Sequence, residues 1–161
     1  MASKASIMGH PVHPMLIPFP LALWVFSFIA DVLYLLRGDM VWVVLAKYTL
    51  AGGILGGLLA AVPGLIDWLA LKSGEVKNIA NWHARLNVIA LLIFAVSLYL
   101  RTRYGAPIVN GSLTIPIILS ALGVILISIS GWLGGSLSYE HGVGVKPQHD
   151  SPEEEAAKLR F

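Results

Sequence analysis

Apolar residues fill four long blocks of this chain, at about 16–36, 44–71, 84–100 and 115–133, with short polar junctions between them. A helix needs about 20 mainly apolar residues to cross roughly 30 Å of hydrocarbon, and each block is at or near that length. Lipid offers no partner to an open sheet edge, so a spanning segment is a helix unless it belongs to a closed barrel. The blocks are continuous rather than alternating, which argues against barrel strands. The pattern predicts an all-α, membrane-embedded, up-down four-helix bundle, with residues 1–145 as the transmembrane domain and 146–161 as a charged tail. Ser151 as cap, Pro152 in the first turn, Glu153 to Glu155 near the positive end and Lys158 and Arg160 near the other suggest a short solvent helix there.

The junctions, 37–42, 72–82 and 101–114, are short, so consecutive helices run antiparallel side by side. Four crossings put both termini and the 72–82 junction on one side of the membrane and the other two junctions opposite. Gly52, Gly53, Gly56 and Gly57 in the second block, and Ser120, Gly123, Ser128, Gly131 and Gly134 in the fourth, are small faces on which another backbone can pack closely. They read first as packing within the bundle, and secondarily as room for a flat cofactor or as faces for a homo-oligomer. Pro63-Gly64 predicts a kink in the second helix just before Asp67.

Composition agrees with the pattern. The chain is 57% hydrophobic and 12% charged with a mean hydropathy of +0.76, and its charges collect in the junctions and the tail, as membrane proteins divide them. The stretch 1–14 lacks the apolar core of a secretory signal, so the first span is expected to act as its own insertion signal and remain. There are no cysteines, which excludes disulfides, thiolate zinc sites, cysteine-held iron–sulfur clusters and c-type haem. A net charge of +2 gives nucleic-acid binding no support. The first, third and fourth spans read as lacking an ionisable residue deep in the membrane, which argues against transport by a single copy.

The candidate chemistry lies in the histidines at 10, 13, 83, 141 and 149. Helix parity gathers them on one side. His10 and His13 sit in Gly9-His10-Pro11-Val12-His13-Pro14, where the residue before each proline favours extended geometry. A polyproline helix would point both rings one way about 9 Å apart, and a helical turn would also put them on one face. His83 reads as opening the third helix with Asn81 as cap, a position that keeps imidazole neutral and able to ligate. Asp67 could orient a histidine, bind metal directly, or pair with Arg85. His141 follows Tyr139 and Glu140 in a glycine-flanked stretch able to fold back over the bundle mouth. His149 reads as solvated.

These residues carry a family resemblance. Gly9-His10-Pro11-Val12-His13-Pro14 with Phe19-Pro20, Gly64-Leu65-Ile66-Asp67, the His83 segment, and Gly131-Trp132-Leu133-Gly134-Gly135 running on to Val145 resemble the DUF2231 family of bacterial integral membrane proteins. The resemblance covers the chain up to about Val145 and implies a membrane fold with no established activity. Some members are joined to Rieske-type iron–sulfur domains, which implies traffic in electrons.

Three functions follow. The leading expectation is a redox or electron-transfer component in which His83 and His141, with His10 or His13, hold haem b, or in which His10, His13, His83 and His141 with Asp67 or Glu140 hold non-haem iron, manganese or zinc. Its partners would be the lipid bilayer and a membrane or soluble redox protein. The second is a metal-dependent membrane enzyme acting on a lipid or quinone headgroup, with Ser136, Ser138 and Tyr139 as contacts. The third is a non-enzymatic scaffold or subunit of a membrane complex. Lys4, Lys72, Lys77, Lys146 and Arg85 on the terminal side slightly outnumber Arg37, Arg101, Arg103 and Lys47 opposite, which places both termini in the cytoplasm of a bacterial inner membrane.

Overall fold

The computed structural model describes residues 3–103 and 113–145; the charged tail and most of the 101–114 junction, including His149, lie outside the described residues. The chain opens with a small antiparallel hairpin, β1 (Ser6–Ile7) and β2 (His10–Pro11). Five helices follow: α1 (Val12–Leu16), α2 (Pro18–Arg37), α3 (Met40–Ala70), α4 (Glu75–Arg103) and α5 (Thr114–Tyr139). α1 and α2 form one membrane-length unit, Val12–Arg37, interrupted where Pro18 and Pro20 lack the N–H groups that would continue the ladder. With α3, α4 and α5 this makes 4 helices long and apolar enough to span a bilayer. The expected all-α membrane bundle is therefore present.

Two expectations at the ends of helices need correction. α4 begins at Glu75 rather than near 84, so His83 lies in its third turn and not at its positive end. Asn81 does not cap the helix; its side-chain oxygen accepts the Trp68 indole N–H at 2.8 Å. Hydropathy alone reads Glu75 to Trp82 as a loop because those turns are polar, whereas helices continue into the interfacial layer where such residues are solvated. Glu75 in the first turn even favours that start. The second correction is that His10 and His13 do not share an extended run, since His10 lies on β2 and His13 within α1.

α2 packs chiefly on α3 and α4 on α5, and the two antiparallel pairs meet through lesser α3–α4 and α2–α5 contacts that close the bundle in chain order. Small residues set the approach. A Cβ on Gly53 would lie 2.5 Å from the Trp24 indole, on Gly57 2.8 Å from the same ring, and on Gly56 3.2 Å from Pro20. On the other pair, a Cβ on Gly123 would lie 2.4 Å from Phe94. Trp24 and Phe94 stack with centroids 4.6 Å apart, and Leu50, Ala90 and Ile127 complete the core around them. The flat group filling the α3 glycine face is thus the chain's own Trp24. Outward, Leu55, Leu59, Leu92 and Ile125 are exposed, an apolar surface suited to lipid and not to water.

The expectation of no deep ionisable residue outside α3 also fails. Asp31 of α2 and Arg101 of α4 are 1% and 5% exposed. Arg101 donates to both Asp31 oxygens, Nη1 to Oδ1 at 2.8 Å and Nη2 to Oδ2 at 2.6 Å. Its remaining donors reach Ser120 at 3.2 Å and Ser97 at 3.3 Å. A planar guanidinium matches a carboxylate in this two-pronged way, and the pair ties α2 to the α4–α5 unit at the end of the bundle away from the termini. Breaking such a pair from one side leaves a buried charge, at a cost of about 3–5 kcal/mol, while apolar replacement of both partners is often tolerated. Asp31→Leu or Arg101→Met alone should therefore lower the thermal midpoint of the detergent-solubilised protein strongly, and the double variant should recover most of the loss.

Candidate functional site

The terminal end of the bundle holds a second polar group, built on His13 and His83. His13 enters from α1 and lies against α3 at the Pro63-Gly64 step. Pro63 supplies no N–H to the Leu59 carbonyl, and at the next carbonyl along, that of Ala60, the His13 Nδ1–H donates at 2.7 Å. A carbonyl only accepts, so Nδ1 carries a proton, and in the neutral form of the ring the lone pair is on Nε2. Gly64 makes the contact possible, because a Cβ there would sit 2.7 Å from His13 Nδ1.

His83 is fixed the same way from α5. Its Nδ1–H donates to the Ser130 carbonyl at 2.8 Å, which again leaves the lone pair on Nε2. The Asn87 side-chain amide, one turn along α4, has two hydrogens to share among that Nε2 at 3.2 Å, the Ser130 hydroxyl at 2.7 Å and the His83 carbonyl at 2.9 Å. Ser130 Oγ in turn donates to the His83 carbonyl at 3.1 Å. Gly134 gives the ring its space, since a Cβ at that position would lie only 3.0 Å from His83 Cε1. The two imidazoles stand with centroids 6.3 Å apart and planes at 90°.

The other expected site residues are on the same face but are not joined to this pair. Parity holds, since a Cβ on Gly144, beyond α5, would come 3.8 Å from Pro11. His10 is exposed on β2. His141 follows the end of α5, where its backbone N–H bonds the Ser136 carbonyl. Glu140 is exposed and accepts a hydrogen bond from Ser136. Asp67 accepts from Ser3 Oγ and from the Lys4 and Ala5 backbone N–H groups, so it pairs neither with Arg85 nor with a histidine. Arg85 lies over the Trp82 ring instead. Among the described residues no three of His, Cys, Asp or Glu come together in a way that could hold a metal ion. Of the expected set of His10, His13, His83 and His141 with Asp67 or Glu140, only the His13 and His83 rings come together among the described residues. Sequence reasoning does not single out Asn87 and Ser130, although a polar amide and a hydroxyl within apolar blocks are signals that could flag them.

Among known proteins, a family model described as a predicted membrane protein, DUF2231, matches residues 9–147. No curated protein and no solved structure matches the chain.

The glycine against His13 gives a direct test of this packing, with Gly135 as its control. Gly64→Ala forces a methyl into His13 and should destabilise by about 1–3 kcal/mol. Gly135→Ala on α5 meets nothing within 4 Å and should be neutral or slightly stabilising. Thermal unfolding of both variants in the same detergent compares them.

Proposed function

We propose that this chain, which belongs to the DUF2231 family of predicted membrane proteins, is a small electron-transfer component of the membrane in which His13 and His83 hold one haem b. The observation that carries this is the matched pair of imidazoles, each with Nδ1–H given to a backbone carbonyl and Nε2 left as the donor atom. Such a bond is the usual partner of a ligating histidine, because it fixes both tautomer and ring orientation.

The donor set favours haem over a bare ion. A porphyrin brings its own four nitrogens and asks the protein for axial ligands only, whereas non-haem iron, manganese or zinc wants three or more protein donors, and among the described residues no third is at hand. The two imidazoles, from α1 and α4, stand with centroids 6.3 Å apart, close enough for one bound group to meet both rings. Bound haem would supply a one-electron couple. His13 and His83 would orient it, Ala60 and Ser130 would hold the rings, and Asn87 would give up the His83 Nε2 while keeping its bonds to Ser130 and to the His83 carbonyl.

A metal-activated water acting on a lipid or quinone headgroup gains less support, because Ser136 and Glu140 are engaged with each other rather than with a histidine. The partners on the redox reading are the bilayer and a membrane or soluble redox protein. Burial of Arg101 in an ion pair removes it from the flanking charges opposite the termini. The balance that remains favours termini in the cytoplasm of a bacterial inner membrane.

Protein purified in mild detergent from haem-replete cells should show the absorption bands of a six-coordinate, low-spin haem b. His13→Ala and His83→Ala should each lose or strongly alter those bands, whereas His10→Ala and His141→Ala should keep them. A colourless wild-type preparation that also fails to take up added haemin would end this reading.

A further inference from the structure

We infer that Asp67 is a latch that clamps the N-terminal hairpin across the mouth of the bundle and thereby positions His13. One carboxylate meets three donors from this short segment, the single Ser3 hydroxyl hydrogen and two backbone N–H groups. Ser3 Oγ lies 2.9 and 2.8 Å from its two oxygens, the Lys4 N–H donates at 2.7 Å and the Ala5 N–H at 3.0 Å. A carboxylate has about four lone-pair sites, and three donors of this one segment converge on it, both backbone N–H groups at Oδ1. Bonds of this kind, with an ionised acceptor, are about twice as strong as neutral ones.

The attachment continues to His13 without a gap. The Ala5 carbonyl accepts the Val12 N–H at 2.9 Å, β1 and β2 pair between them, and His13 is the next residue. Asp67 lies three positions beyond Gly64 on α3, so both fall on one helix face. The segment from Ser3 to His13 is therefore a strap fastened to a single stripe of α3 at two points, at Asp67 and at Ala60 with Gly64. Neither part of the strap is stable unaided, since a two-residue hairpin and a one-turn helix are both too short. Without Asp67, the hairpin loses its anchor on α3, and His13 is left to its one bond at the Ala60 carbonyl and to the start of the Val12–Arg37 helical unit. Asp67 acts through this strap and is a positioning residue rather than a ligand.

The role as a latch stands on the geometry alone, while its consequence for a bound group rests on the haem reading above. The absence of cysteine allows a single thiol at Ala5→Cys, where the backbone bonds to Asp67 are retained, and its reaction with a membrane-impermeant maleimide reports release of the strap. Adding Asp67→Ala should speed labelling by about tenfold or more, as expected for loss of charge-assisted bonds. Asp67→Asn should be intermediate, because the amide keeps one accepting oxygen without the charge. Ser3→Ala, a milder change that spares α3, should move the rate in the same direction, which covers the case in which Asp67→Ala does not fold. In the haem-loaded protein, Asp67→Ala should also shift the spectrum from six-coordinate towards five-coordinate, with Arg85→Ala as an unchanged control. Faster labelling in a protein that binds no haem would uphold the latch and overturn only the haem reading. Labelling rates that stay equal in all the variants would overturn the latch, whether or not haem binds.

Discussion

Hydrocarbon supplies no hydrogen bond, so each polar atom that this chain carries into the membrane must be satisfied by another part of the chain. That constraint explains where the polar side chains are. Asp31 and Arg101 neutralise each other and spend their remaining donors on Ser97 and Ser120. Ser27 donates to the Ala46 carbonyl of the neighbouring helix, and both imidazoles donate to carbonyls across a helix interface. Water-soluble bundles hide apolar residues and expose polar ones. Here the polar groups are inside and large aliphatic residues face outward, so the interior bonds, together with close packing, replace the hydrophobic effect as the force between helices.

The α4–α5 interface shows how these demands are met along one seam. His83, Asn87, Ala90, Phe94, Ser97 and Arg101 recur at alternating spacings of four and three on α4, as do Ser120, Gly123, Ile127, Ser130 and Gly134 on α5. This is the period of knobs-into-holes packing. The two helices run antiparallel, so His83 meets Gly134, Asn87 meets Ser130, Phe94 meets Gly123 and Ser97 meets Ser120. Large residues face small ones and donors face acceptors. The seam is polar at its two ends and apolar at its middle, where Trp24 stacks on Phe94. The His13–His83 group and the Asp31–Arg101 pair therefore sit at opposite ends of the bundle with an aromatic layer between them.

What can be read from the sequence follows from the same physics. The number of spans, their helical nature and the gathering of both termini with the α3–α4 turn on one face all depend on hydropathy and length, which are local. The glycines of α3 are legible as packing because close approach is their main use in lipid. By contrast, the pairing of Asp31 with Arg101 joins residues 70 positions apart, and nothing local marks one as the partner of the other. Hydropathy misplaces the start of α4 because its pattern ends where the hydrocarbon ends, not where the helix ends. Parity brings four histidines to one face but cannot choose among them. Two of the rings find a carbonyl and a space beside a glycine, His13 at Ala60 and Gly64 and His83 at Ser130 and Gly134.

The two rings are bonded less fully than the ion pair, although the buried groups with no partner among the described residues are the Trp24 and Trp42 indole N–H. Among the described residues, the hydrogen bonding of the His13 ring is confined to its Nδ1–H, which leaves the Nε2 lone pair without a protein donor, while the matching atom of His83 has a long 3.2 Å bond from Asn87. A chain that satisfies Asp31, Arg101, Ser97 and Ser120 so fully had other ways to bond the Ala60 and Ser130 carbonyls. A serine or an asparagine would do so without presenting a second nitrogen. Imidazole differs from those side chains in offering a donor on one edge and a coordinating lone pair on the other. Two such rings, with centroids 6.3 Å apart, each bond a backbone carbonyl through Nδ1 and lie against a glycine, so packing fixes how each ring is turned.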